Sequence, residues 1–190
     1  MATSEVPQRV ALVTGAARGI GAACVRRLAA DGCAVVGVDI CHDDPAIGYP
    51  LGRRAELDAV IDSAGTHAVA MAADVRDRAG LDAAVATAVD RFGGLDIVVA
   101  AAGIFAGGQQ SWRTDDDKWD ANIDINLSGV WRTFSAAIPV ILKRPKPRTG
   151  RVIAIASAAG LGGHPSISAY VAAKHGVVGL VRSVASELGT

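Results

Sequence analysis

The sequence predicts a doubly wound α/β fold, a parallel sheet of five strands with helices on both faces. Three observations carry that prediction. Short β-branched runs alternate with longer helical stretches along the 190 residues, which gives right-handed strand–helix–strand units. The strand runs are near-continuous in apolar residues, as expected when both faces of a sheet are covered. A glycine-rich turn stands directly between the first strand and the first helix, where open sheets of this kind bind ligands.

The elements follow in order. Residues 9–13 (RVALV) form the first strand, and Gly19–Ala30 a helix with Ile20, Cys24 and Leu28 on one face. Residues 34–38 (AVVGV) form a second strand ending at Asp39, and 42–52 a loop rich in Asp, Pro and Gly. Residues 53–64 read as a helix with Leu57, Val60 and Ile61 apolar, and Ala68–Ala72 as a weak third strand. Residues 77–92 are a helix with Leu81, Val85 and Val89 at spacing four, followed by a fourth strand over 95–100. Residues 116–142 are mostly helical, 151–156 (RVIAIA) give the fifth strand, and Ser168–Leu188 the last helix. The basic, Pro-rich stretch 143–151 reads as a solvated connection, with a phosphate-contacting patch as the alternative.

Composition narrows the function. Nineteen Lys and Arg balance 19 Asp and Glu, which disfavours a nucleic-acid partner. Hydrophobic residues make up 51% of the chain, aromatics only 4%, and glycine accounts for 22 residues. A core of small side chains lets helices approach a sheet closely. Cys24, Cys33 and Cys41 have no C-x-x-C spacing, so neither a disulfide framework nor a metal site is expected, and a reducing, cytoplasmic setting is. The first ten residues hold no apolar leader, and no run approaches 18 apolar residues, so no membrane partner is expected.

Chemistry concentrates in a few places. In the turn Thr14-Gly15-Ala16-Ala17-Arg18-Gly19-Ile20-Gly21, Gly15 lets the chain leave the strand tightly. Gly19 leaves room for a pyrophosphate, and Gly21 lets the helix pack close. The helix N-terminus then offers N–H groups to phosphate. Asp39 lies 18 residues past Gly21. A carboxylate there accepts from ribose hydroxyls and repels a 2′-phosphate, favouring NAD over NADP; the alternative is a strand-end Asp capping a turn. Arg18 pulls the other way, because a guanidinium can pair a phosphate. Asp74 and Val75 follow the third strand, where an adenine amino group can be read or the next helix capped.

Tyr170 and Lys174 stand four apart on a helix and share a face. A phenol ionises near pH 10, and a neighbouring ammonium favours the phenolate, which suits general acid–base work. Ser157 closes the fifth strand, 13 residues before Tyr170, and can hold a substrate oxygen there or serve an ordinary turn. Asn126 lies between apolar neighbours in a helix, where its side chain competes for backbone partners. It points to a local distortion or a bound water, or else to a solvent-facing side chain.

Taken together, T-G-A-A-R-G-I-G, Asp39, Asn126, Ser157 and Y-V-A-A-K resemble the short-chain dehydrogenase/reductase family over nearly the whole chain. The resemblance implies a Rossmann-type αβα sandwich with strand order 3-2-1-4-5. It implies an NAD-dependent alcohol or carbonyl oxidoreductase with catalytic Asn126, Ser157, Tyr170 and Lys174. Tyr170 would pass the proton, Ser157 position the oxygen, Asn126 hold a relay water, and Lys174 also bind the nicotinamide ribose. Tyr170 and the backbone at Ala102 and Gly103 would also touch the cofactor.

The phrases DICHDDPAIGYPLG, KRPKPR and ASAAG are similar to the narrower mycofactocin-coupled group. That likeness implies NAD that does not exchange freely and an external redox carrier. Family members commonly pair as homodimers or homotetramers through the last two long helices. Two departures stand out. The usual Asn-Ala-Gly reads Ala101-Ala102-Gly103, losing side-chain bonds that brace the sheet. The chain stops at Thr190, before the family's last two strands, which is expected to leave the fifth strand as an edge. The competing function is a non-catalytic NAD-binding or assembly module. A methyltransferase is opposed by the Tyr170/Lys174 pair, which has no role in methyl transfer.

Overall fold

A computed structural model of the chain describes residues 9–147 and 149–189. The polar first eight residues and Arg148 of the basic connection lie outside the described residues. The strands are β1 (Arg9–Thr14), β2 (Cys33–Asp39), β3 (Ala68–Ala72), β4 (Ile97–Ala100) and β5 (Arg151–Ala154). They form one parallel sheet in the order β3-β2-β1-β4-β5, as the sequence predicts. Val13 pairs with Gly37 on one side and Val99 on the other. The chain direction of strand addition reverses between β1 and β4, which opens a crevice beyond their carboxyl ends.

The helices are α1 (Gly19–Ala30), α2 (Arg54–Ala64), α3 (Arg78–Phe92), α4 (Asp116–Ile123), α5 (Gly129–Ile141) and α6 (Ser168–Leu188). One face of the sheet packs α1 and α2 through Val25, Leu57 and Val60. The other packs α3, α5 and α6 through Leu81, Phe134 and Val177. Two faces read from apolar spacing are rotated. The core side of α1 is Gly21, Ala22 and Val25, while Ile20 is 59% exposed. In α3, Val89 is exposed and Ala84 and Ala88 are buried beside Leu81 and Val85. Where helices close tightly on a sheet, glycine and alanine take the contact face that a search for large residues overlooks.

The long predicted helix over 116–142 is interrupted. Residues 124–128 form a π-helical turn between α4 and α5, a local bulge of the kind that recurs at functional sites. The fourth and fifth strands are shorter than predicted, so Ser157 stands three residues beyond β5 rather than closing it. Arg144 of the basic connection is not merely solvated. It forms an ion pair with the buried Asp96 at 2.7 Å and donates to the Gly93 carbonyl, while Asp96 accepts from Val10 N–H. Among the described residues β5 is an edge, with Ile153 exposed. A groove of about 450 Å³ lies beside it, lined by Phe134, Val152, Val181 and Leu188.

Candidate functional site

The crevice holds a cavity of about 250 Å³. Its floor is the turn after β1. Gly15 and Gly19 both have positive φ, 69° and 58°. A Cβ on Gly21 would lie 2.0 Å from the Gly15 carbonyl oxygen, and one on Gly15 only 2.7 Å from the Ala102 backbone. Both positions therefore exclude a side chain by contact. Gly19 differs, because a Cβ there meets nothing within 4 Å: its space is open to the cavity. No side chain caps α1, and its first turn holds no acidic residue, so its N–H groups remain available to an anion. The open cradle at Gly19 and this donor set fit a dinucleotide pyrophosphate.

Ten of the sequence-predicted cofactor residues line this cavity: Gly15, Arg18, Gly19, Ile20 and Gly21 from the turn, Asp39, Asp74 and Val75 from β2 and β3, and Ala102 and Gly103 after β4. Tyr170 and Lys174 do not line it. Arg18 is exposed in extended backbone at the start of α1. Asp39 is 8% exposed, and one carboxylate oxygen accepts from Ala17 N–H at 3.0 Å. It thus braces the glycine turn and lines the cavity at once. Asp74 is engaged by the Arg76 guanidinium at 2.6 Å and by Arg76 N–H. It does not cap α3; Asp77 does, accepting from Ala79 and Gly80 N–H. The Ala100–Gly103 turn is braced after all, because the Thr14 hydroxyl accepts from both Ala101 and Ala102 N–H.

Residues 40–53 form a strap over the cavity, through Leu51 and Gly52. Asp43 accepts from Leu51 N–H and pairs with Arg53, which hold its carboxyl below the usual carboxylate range. Asp44 accepts from Ala46 N–H and pairs with Arg76 at 2.7 Å. Burial works to raise the Asp44 pKa, but these two contacts outweigh it and hold it low. Ile47 and Leu51 insert into the core. The composition of this loop marked it as irregular, but nothing local in the sequence showed that it is anchored at both ends.

At the other end of the crevice, Lys174 is buried, donates to the Ile155 carbonyl at 2.8 Å, and sits 5.6 Å from the Tyr170 ring centroid. Burial pushes its pKa down to about 8. Its ammonium nitrogen lies 3.8 Å from where a Gly103 Cβ would be, which joins this end to the cavity wall. Ser157 starts a single 3₁₀ turn and accepts from Ala159 N–H; that turn packs on α6, leaving Gly160 no room for a Cβ against the Lys174 carbonyl.

Asn126 lies in the π-helical turn, fully buried. Its side chain clasps Ile104, accepting from the N–H at 2.9 Å and donating to the carbonyl at 3.0 Å, and it also donates to Asn122. Both amide donors are thus taken, and one carboxamide lone pair remains for a water. Asn122, which the sequence reading passed over, donates to the Ala106 carbonyl. Among the described residues no helix is long and apolar enough to cross a membrane.

The sequence pattern described as short chain dehydrogenase matches residues 9–190. A (-)-trans-carveol dehydrogenase from Rhodococcus erythropolis is 47% identical over 188 residues, covering 97% of this chain and 67% of the relative. The crystal structure of carveol dehydrogenase from Mycobacterium avium in complex with NAD superposes with a TM-score of 0.91 at 38% identity, covering 97% of this chain and 67% of that one. A short chain dehydrogenase from Mycobacterium paratuberculosis bound to NAD gives 0.89 at 37% identity, with 97% and 68% covered. The chain spans about two thirds of the length of these relatives.

Proposed function

The chain belongs to the short-chain dehydrogenase family, and from that premise we propose that it is an NAD-dependent oxidoreductase acting on a secondary alcohol or the corresponding carbonyl. The observation that carries this reading is the junction at Gly103. The crevice cavity and the Lys174–Tyr170 pair meet there, which supports a reading in which the nicotinamide and the proton-transfer group would share one wall. Relatives named for NAD and for carveol support the cofactor and an alicyclic alcohol as the substrate class.

When bound, NAD supplies the hydride acceptor. The protein supplies the rest. Backbone N–H groups of the Gly15–Gly21 turn hold the pyrophosphate, and Asp39 faces the ribose and opposes a 2′-phosphate. Tyr170 takes the hydroxyl proton during alcohol oxidation and returns it during carbonyl reduction. Lys174 remains an ammonium at neutral pH and favours the phenolate beside it. Ser157 hydrogen-bonds the substrate oxygen. Asn126 fixes Ile104, the residue that follows Gly103.

The anchored strap supports the finer reading of a mycofactocin-type enzyme, in which NAD leaves slowly and an external carrier resets it. Trp131 and Leu142, both exposed on or beside α5, support pairing of two chains through that helix. The chain, residues 1–190, acts as one dinucleotide-binding domain. The test is to incubate the purified protein with NAD and alicyclic secondary alcohols and assay the ketone. Ketone formation with NAD and not with NADP is expected. Tight NAD binding with no ketone from any alcohol would instead make the chain a binding module.

A further inference from the structure

The segment after Gly103 is tied down by side-chain hydrogen bonds around one half-exposed ring. Asn126 holds the N–H and the carbonyl of Ile104. Asn122 holds the carbonyl of Ala106. Between them, Phe105 N–H donates to the Tyr49 hydroxyl at 2.9 Å, across 56 residues of sequence. Three consecutive residues are therefore fixed by three separate side chains. Yet the Phe105 side chain that this scaffold presents is 52% exposed. Its ring stands edge-on to Tyr170, with centroids 5.2 Å apart and planes at 69°.

A fixed backbone that holds an apolar ring half out of the core points to a contact made with something outside the chain. The surroundings indicate its chemistry. Gly108 N–H donates to the Ser166 carbonyl at 2.8 Å, and Gly107 abuts Ile167, so the post-β4 segment is stitched to the one following Ser157. These two segments expose Trp112 and Leu161 as well. Residues 101–112 and 152–163 carry no charged side chain. A neutral, apolar molecule is the one that such a surface favours.

We infer that Phe105 is a specificity-determining wall of the substrate site, selecting an apolar ring skeleton whose hydroxyl faces Tyr170, and that Tyr49 is a positioning residue acting through it. The strap thereby serves both halves of the site: Leu51 and Gly52 face the cofactor cavity, and Tyr49 sets the substrate wall. This rests on the oxidoreductase reading above, and it goes beyond it in assigning a role to Phe105, which lies in none of the sequence motifs, and to the Tyr49 side chain within the stretch DICHDDPAIGYPLG.

The test uses the full chain loaded with NAD, with cyclohexanol and propan-2-ol as probes. Binding is followed by saturation-transfer NMR and oxidation by initial rates. Phe105→Ala is expected to lower the preference for cyclohexanol over propan-2-ol, in both affinity and kcat/KM, about tenfold, the scale of one lost aromatic contact. Tyr49→Phe keeps the ring and removes only the acceptor. It is expected to lower the same preference severalfold and to speed amide exchange at Phe105. In the double variant, Tyr49→Phe should add nothing to Phe105→Ala, because it acts through that ring.

If the parent chain binds cyclohexanol without oxidising it, and Phe105→Ala loses that binding, the oxidoreductase reading fails and the Phe105 wall stands. If the parent and Phe105→Ala bind both alcohols with the same preference, the wall is overturned whatever the turnover. Additive effects in the double variant would overturn the role of Tyr49.

Discussion

At the β1–β2 end of the crevice the cradle itself is backbone, braced by carboxylates, whereas at the β4–α6 end the candidate reacting groups are side chains. The first end consists of the glycine turn, uncapped N–H groups and a strap tied down by Asp43 and Asp44. The second relies on the reach of Asn126, Tyr170 and Lys174, and it stands beside the β5 edge. The difference teaches how each end can fail. A backbone cradle is broken by adding one carbon. A side-chain constellation is broken by removing one atom, with the fold left intact.

Adding that carbon should separate two kinds of glycine. Gly21→Ala forces a Cβ to 2.0 Å from a carbonyl oxygen, and overpacking against backbone is expected to cost about 2–4 kcal/mol. Denaturant titration checks it. Gly19→Ala meets open space, so only its positive φ opposes it, about 1 kcal/mol. That variant should fold but bind NAD at least tenfold more weakly by calorimetry. If Gly19→Ala binds NAD as the parent does, the cradle does not take the pyrophosphate.

The side-chain end should show the opposite exchange of stability for chemistry. The Lys174 pKa of about 8 lies below the ordinary 10.5. The cost of burying its charge is therefore fully present below pH 8 and is relieved as pH rises toward 10.5. Lys174→Met should stabilise the NAD-free chain by about 1–2 kcal/mol at pH 7, the relieved charge being partly offset by an unpaired Ile155 carbonyl. The gain should shrink between pH 8 and 10.5, while alcohol oxidation is lost. Thermal melts across that range read the sign directly.

The smallest effect concerns the strap. Asp44→Asn removes the charge facing Arg76 and should speed NAD dissociation severalfold, consistent with about 1 kcal/mol for a partly buried pair. Because the Asp44 and Asp43 carboxyls titrate below their ordinary range, their contribution is present above about pH 4 and is lost as pH falls below it. Retention of NAD in the parent should be flat through neutral pH and fall only in acid, as stopped-flow displacement would show.

The same contrast explains what was legible in the sequence. Gly15, Arg18, Gly19, Ile20 and Gly21, with Asp39 and Val75, are readable as crevice residues from their spacing, because turn and strand-end geometry belong to the local backbone, whereas Gly103 is readable only through the family resemblance. Gly19–Ala30 and Ser168–Leu188 were likewise readable as helices. Asn126 announced a distortion by its residue type, and the π-helical turn is there. That its amide clasps Ile104, 22 residues away, was not readable. Nor was the bond from Phe105 to Tyr49, the pairing of Arg76 with Asp44, or the pairing of Arg144 with Asp96. These depend on which side chains tertiary packing brings together, and no local pattern encodes that.

The most direct measurement is a single turnover. The protein is saturated with NAD, mixed with an alicyclic secondary alcohol, and the absorbance of reduced nicotinamide on the protein is followed in the parent and in Tyr170→Phe. The account expects reduced nicotinamide to form in the parent. In Tyr170→Phe, with the same NAD content, it should form at least 100-fold more slowly, because only the proton-transferring hydroxyl is gone. Equal rates in the two proteins would contradict it.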